Sequence, residues 1–253
     1  MRDNNGVFSF IFGLGKEDVR EKVILTSFIP ADKFVLPGSE KKVFKGRIYS
    51  GVNTENYTVI KVPMGQALAG DSVLFLGNTK VKELVYAGSA GGLGRSRVGD
   101  ILICKNAFAG GGFSDNYPPL RGMDNILEDG KIFNSSGALL EKIRLSAEKD
   151  PGMKDIFKEG SIFTVSSLFA ETPENLEKIE RRAFDGIDME LSAVYHAAVV
   201  AGIEAAGILF VSDLPRKKPF WEKPLPGEME KIRMSSEKVI ELAMLTARGP
   251  GIK

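Results

Sequence analysis

Leu84-Val-Tyr-Ala-Gly-Ser-Ala-Gly-Gly-Leu-Gly94 is the stretch that most constrains what this chain can fold into. An apolar run ends there in a cluster of small residues, and a second, Ile101-Leu-Ile103, starts after Gly99-Asp100. Glycine permits backbone angles closed to other residues and lets a ligand approach the main chain. A loop of this kind leaves N–H groups free to cradle an anion, with the Ser89 hydroxyl beside them. It suits a tight turn without a ligand equally well. A strand running into such a loop is where open α/β sheets place their ligands. The spacing is neither that of a P-loop, which needs Gly-Lys-Ser/Thr after four intervening residues, nor the Gly-x-Gly-x-x-Gly of dinucleotide binders.

Around that stretch, short apolar runs alternate with segments of helical spacing. Strands are expected at Val23–Thr26, Val43–Val52, Tyr57–Met64, Glu83–Ala87, Ile101–Cys104, Gly160–Val165 and Ala205–Val211. Helices are expected at Gln66–Leu76, Leu139–Ala147, from Thr172-Pro173 onward, at Asp188–Val200, and at Glu228–Ala247, where apolar residues recur on one face. Residues 7–15 are apolar and too short for an anchor; they suit an edge segment or a contact with a partner subunit. Asn106 to Arg121, with Gly110-Gly-Gly112 and Tyr117-Pro-Pro119, reads as a long loop. Strands alternating with helices predict an α/β fold in which one largely parallel central sheet is covered by helices on both faces. At 253 residues, with no linker or repeat, the chain reads as one domain over residues 1–253.

Composition removes several classes of function. The net charge of +1 argues against a dedicated nucleic-acid binder. No apolar run approaches a membrane span, and the first residues lack a signal-peptide core, so a cytoplasmic location is expected. The single cysteine, Cys104, excludes an intramolecular disulfide and a cysteine-based zinc cluster, and follows an apolar run as a buried thiol does. No metal constellation is visible.

Two further segments carry chemistry. In Gly186-Ile-Asp-Met-Glu-Leu-Ser-Ala193, Asp188 and Glu190 cannot share a helix face, but at a helix start one can cap while the other points into a cleft. A carboxylate there can accept from two adjacent ribose hydroxyls, or simply complement the helix dipole. In Gly207-Ile-Leu-Phe-Val-Ser-Asp213, an acid ends a buried strand, where desolvation would let it hold a proton near neutrality; an N-cap or solvated acid is the alternative. His196 lies six residues beyond Glu190, points to another helix face and reads as structural. Arg216-Lys-Lys218 beside Trp221 reads as a solvated loop.

Ala87-Gly-Ser-Ala-Gly-Gly-Leu93, followed by Val98-Gly-Asp-Ile-Leu-Ile103, resembles the central loop of the nucleoside phosphorylase and nucleosidase superfamily. Asp188-Met-Glu190 resembles its ribose-binding segment, and Val211-Ser-Asp213 the segment whose acid protonates the leaving base in the purine-acting branch. Val165-Ser-Ser-Leu-Phe169 and Pro63-Met-Gly65 fit as well, and the resemblance runs in order over roughly residues 23–247. It implies a single-domain fold with a twisted mixed central sheet. It also implies Asp213 as the catalytic acid, with Met189, Glu190 and Met64 on the ribose. Gly88, Ser89 and Gly65 would hold phosphate, and Ala90, Gly91 and Phe169 the base.

The chain also departs from that pattern. Thr26-Ser-Phe-Ile-Pro-Ala-Asp-Lys33 lacks the glycine and arginine of the hexameric purine phosphorylases, and Tyr86 stands where an arginine precedes the central Gly-Ser. The glutamate with which nucleosidases activate water is absent from the same stretch. Phosphate would then depend on Lys33, Lys45 or Arg47; the last two lie near where the family brings an arginine from a neighbouring subunit. The expectation is therefore a homo-oligomer, a dimer or a trimer of dimers, that cleaves a purine-type nucleoside by phosphorolysis. Inorganic phosphate is the cosubstrate and no cofactor is needed. A hydrolytic nucleosidase and a nucleoside-binding or storage homologue without turnover are the alternatives.

Overall fold

The computed structural model describes residues 5–112, 131–153 and 156–248. Strands β1 (Lys22–Thr26), β2 (Lys41–Lys45), β3 (Ser50–Thr54), β4 (Thr58–Lys61), β5 (Glu83–Gly92), β6 (Ile101–Ala109), β7 (Ile132–Asn134), β8 (Phe157–Thr164), β9 (Gly186–Asp188) and β10 (Glu204–Asp213) form one sheet. Its path runs β10-β6-β8-β9-β5-β1-β4-β3-β2, with β7 on β6. Because β10 also pairs with β5, strands β10, β6, β8, β9 and β5 close into a ring from which β1, β4, β3 and β2 extend. Parallel ladders (β5 with β1 and β10, β8 with β6 and β9) mix with antiparallel ones (β5 with β9, β6 with β10). The mixed α/β sheet implied by the resemblance is what is found, and the largely parallel sheet expected from alternation alone is corrected: antiparallel pairs are as many as parallel ones among the described residues.

Strand alternation divides the core into two layers. On β5, Leu84 and Tyr86 face one layer while Val85 and Ala87 face the other; β1 repeats this with Val23 and Leu25 against Ile24. The first layer is closed by α1 (Asn5–Phe12), α2 (Gln66–Leu76) and α5 (Leu191–Ala201), through Phe8, Phe12, Val73, Leu76, Leu191 and Val194. The second is closed by α3 (Gly137–Glu148) and α6 (Pro226–Arg248), through Leu139, Ile143, Val239 and Leu242. A third cluster packs α4 (Pro173–Arg181) against Phe108, Phe163 and Phe184. Cys104 is buried in the first layer, and burial pushes its thiol up.

Several local expectations are corrected. The apolar start is a helix, not an edge segment: Phe8 stacks on Phe12 at 4.3 Å and both are fully buried in their own chain. Val43–Val52 is not one strand, because the chain reverses over residues 46–49 and β2 pairs antiparallel with β3. Asn106–Ala109 belongs to β6, which continues its ladder with β8 past a bulge; residues 113–121 of the expected loop lie outside the described residues. Asp188 ends β9, and the helix starts only at Leu191.

The largest correction concerns the glycine-rich stretch. It is strand, not loop: β5 continues to Gly92, with Gly88, Ser89, Ala90 and Gly91 registered against Leu209, Phe210, Val211 and Asp213 of β10. Of its glycines, Gly88, Gly91 and Gly92 have no positive φ; only Gly94, beyond the strand, does. They are small for another reason. A Cβ on Gly92 would come within 2.7 Å of Val211 and one on Gly91 within 2.5 Å of Pro215, so ring closure requires the missing side chains.

Candidate active site

On its β1 side, the β5 ladder stops at Tyr86, and the ladder with β9 begins only at Gly91. The intervening edge, with Ser89 and Ala90, borders a cavity of about 430 Å³, within the ~300–1,000 Å³ usual for small-molecule sites. The carboxyl ends of β1, β5, β9 and β10 contribute Ser27, Gly91, Met189, Glu190, Ser212 and Asp213 to its wall, and the 215–224 segment and α6 cover it from the other side.

Asp188 and Glu190 divide their roles as the spacing allows. Asp188 Oδ2 accepts from the N–H groups of Glu190 (3.1 Å) and Leu191 (2.7 Å), capping α5, while Oδ1 accepts from the Thr164 hydroxyl (2.7 Å). Burial, and then the adjacent Glu190, raise its pKa against those three donors. Glu190 points into the cavity with both oxygens held: Oε1 accepts from the Gly65 N–H (2.7 Å) and Oε2 from the Tyr86 hydroxyl (3.0 Å). Gly65 can present that N–H because its φ is +112°, a conformation that favours glycine. Each carboxylate oxygen keeps a second acceptor direction for a ligand hydroxyl. Burial raises the Glu190 pKa against the bonds from Gly65 and Tyr86.

At the opposite wall, a bulge ends β10, and Asp213 Oδ1 accepts from the Ser212 hydroxyl at 2.8 Å. Burial raises the Asp213 pKa, against the Ser212 bond and a backbone bond from Phe220. Glu171 lines the same cavity; burial, and then the charge of Asp213, raise it to about 7.

The structure thus gathers Met64, Ser89, Ala90, Gly91, Met189, Glu190 and Asp213 around one cavity. Gly65 stands behind it as the donor to Glu190, and Gly88 is buried in β5. Phe169 is not brought in. It sits on the 3-10 turn Leu168–Ala170, is 71% exposed, and leaves the lining to Leu168 and Glu171; the aromatic rings at the cavity are Phe28 and Phe220. Lys45 and Arg47 lie exposed at the β2–β3 turn, outside the lining, and Lys33 is not in the lining either. His196 stacks on Phe133 at 4.4 Å, away from the site. Among the described residues no cluster of His, Cys, Asp and Glu is placed to hold a metal ion, and no helix is long and apolar enough to cross a membrane.

Two lining groups, Ser27 and Glu171, and one buried behind Glu190, Tyr86, escape sequence reasoning. Ser27 follows β1 with nothing local to mark it, and Glu171 precedes a helix N-cap, where an acid is ordinary. Tyr86 was visible only as a departure from the resembled arginine, and its contact with Glu190 joins residues far apart in sequence. Among the described residues the lining is strongly acidic: Glu171, Asp188, Glu190, Asp213, Glu222 and Glu228 face one lysine, Lys218, already paired with Glu228.

A sheet ring with a carboxylate-lined cavity at its strand ends is an α/β fold with a small-molecule site. The chain belongs to the phosphorylase superfamily, whose profile matches residues 18–241. Members of this superfamily act on N-glycosidic bonds; its phosphorylases take phosphate as a substrate and need no cofactor. The chain is similar in fold to purine nucleoside phosphorylase from Toxoplasma gondii (21% identity, 93% of this chain and 92% of that one, TM-score 0.74). It is also similar to uridine phosphorylase from Vibrio fischeri (16%, 91% and 92%, 0.71) and AMP nucleosidase from Bacteroides thetaiotaomicron (18%, 94% and 95%, 0.67). No curated relative matches the chain.

Proposed function

We propose that this protein cleaves the N-glycosidic bond of a purine-type nucleoside. The observation that carries the reading is one cavity holding both a fixed carboxylate, Glu190, and a desolvated acid, Asp213. Glu190 accepts the ribose hydroxyls while Met189 and Met64 pack on the sugar, which fixes the anomeric carbon for attack. As the C1′–N bond lengthens, the base gathers negative charge and the sugar positive charge. Asp213, whose carboxyl is shifted by burial toward the protonated form, protonates the departing base. The carboxylates nearby stabilise the cationic sugar.

Water is the nucleophile that this lining supports best. Beside six acidic side chains, and with Lys218, the lysine of the lining among the described residues, already paired, a phosphate dianion is costly to hold. Phosphorolysis, which the sequence resemblance favours, is the second reading. The exposed pair Lys45 and Arg47 supports it if a neighbouring copy brings these cations to the site. A panel of nucleosides assayed for free base with and without phosphate separates the two. Base release without phosphate is expected; absolute dependence on phosphate would establish the second reading, and no release at all would remove both. Under the second reading, mixing an Arg47→Ala, Lys45→Ala chain with a Glu190→Ala chain restores phosphate-dependent activity that each lacks alone.

A further inference from the structure

The chain lacks a glutamate after its first strand, yet a water nucleophile must give up a proton. What stands at that place is Ser27, the residue directly after β1, and it reaches the cavity wall. Its hydroxyl lies 2.8 Å from the Tyr86 hydroxyl, which lies 3.0 Å from Glu190 Oε2. We propose that Ser27, Tyr86 and Glu190 form a proton relay that activates the attacking water.

Hydrogen-bond counting fixes the direction of the chain. An ionised Glu190 can only accept, so the single Tyr86 proton points to it, and Ser27 must then donate to Tyr86. With its own proton committed inward, the Ser27 oxygen offers the cavity nothing but acceptor positions. It therefore binds a water through that water's hydrogen and turns the water's lone pair outward. Tyr86 is 1% exposed, so no solvent competes for either of its bonds.

The step balances. The water oxygen forms a bond to C1′ as the C1′–N bond breaks. The water proton passes to Ser27, the serine proton to Tyr86, and the tyrosine proton to Glu190 Oε2. Asp213 gives its proton to the imidazole ring of the base, into which the bonding pair of the C1′–N bond is released. One proton enters at Glu190 and one leaves at Asp213, and exchange with solvent resets both. Tyr86 is therefore more than a support for Glu190, although it touches neither sugar nor base and acts as a positioning and relaying residue.

The inference rests on the proposed glycosidic cleavage by water, and the test keeps the two separable. Ser27→Ala and Tyr86→Phe would be compared with the parent for kcat, KM and solvent isotope effect on a purine nucleoside without phosphate. Each substitution should lower kcat about a hundredfold with KM changed less than about threefold, and the double variant should fall no further, because one break stops the whole relay. The parent's proton inventory in mixed H2O and D2O should bow, reporting several protons in flight; the variants' should be linear. Ser27→Ala, at a half-buried wall position, keeps the test open should Tyr86→Phe misfold. Parent-like kcat and a bowed inventory in either folded variant would overturn the relay while leaving the cleavage reading intact. A rise in KM alone would reduce Tyr86 to a ribose-site support and also overturn it. Base release that needs phosphate, or none at all, would overturn both.

Discussion

Asp188→Ala isolates the cap that aims the site. In the parent, one buried carboxylate receives the Thr164 hydroxyl and the N–H groups of Glu190 and Leu191. Alanine leaves two backbone donors without partners at a helix start that is 4% exposed at Glu190 and fully buried at Leu191. Each orphaned donor costs about 1–3 kcal/mol, and loss of a helix cap alone about 0.5–2 kcal/mol. Removing a buried charge beside Glu190 offsets part of this, and a net loss of about 3 kcal/mol is expected. Asp188→Asn keeps an acceptor for the two N–H groups and should lose only about 1 kcal/mol. Urea unfolding followed by far-UV circular dichroism gives the stabilities, and nucleoside titration gives the consequence for Glu190, which loses the bond fixing its backbone. Weaker ribonucleoside binding by at least tenfold should accompany the loss of stability. If alanine and asparagine variants unfold within about 0.5 kcal/mol of each other, the cap does not carry the helix start and the reasoning fails.

Other substitutions test the remaining parts. Asp213→Asn should slow base release from purine nucleosides about a hundredfold and spare a riboside with a nitrophenol-type leaving group, which needs no proton; equal losses on both would make Asp213 structural. Glu171, raised to about 7, keeps a proton in the folded chain at pH values where the unfolded chain, with an ordinary carboxyl near ~4.3, has released it. Stability should therefore fall as pH rises through that window, and urea midpoints of Glu171→Gln at pH 5 and pH 8 should differ less than those of the parent. Gly51→Ala would set a Cβ 1.9 Å from the Val59 carbonyl oxygen; a loss of about 1–3 kcal/mol in thermal or urea unfolding is expected, and an unchanged midpoint would show that β3 can move away.

The sequence by itself determined the layers of this protein. Short unbroken apolar runs in Val23–Thr26, Glu83–Ala87 and Ala205–Val211 marked strands buried on both faces, because a strand covered on both sides needs apolar residues at successive positions, a local property of the chain. Helical spacing marked Gln66–Leu76 with the bounds observed, and Thr172-Pro173 marked the start of α4 through its side-chain cap on the Asn175 N–H. The division of labour between Asp188 and Glu190 was legible for the same reason, since a helix start leaves donors that one nearby carboxylate can cap.

What the tertiary structure decided is whatever depends on pairing across the chain. Glycines at 88, 91 and 92 read locally as a turn, yet β10 and β9 claim that backbone and make it strand, which no local propensity records. The same ring closure leaves one edge of β5 open between Tyr86 and Gly91 and so creates the cavity. Phe169 and Glu171 are two residues apart, and only the turn preceding α4 decides that the acid rather than the ring reaches the wall. Tyr86 shows the reason most clearly. Its side chain reads as a core aromatic, and its function-bearing contact is with Glu190, 104 positions away. A hydrogen bond of that kind is fixed by the register of β1, β5 and the Asp188 cap together, and none of the three segments carries it alone.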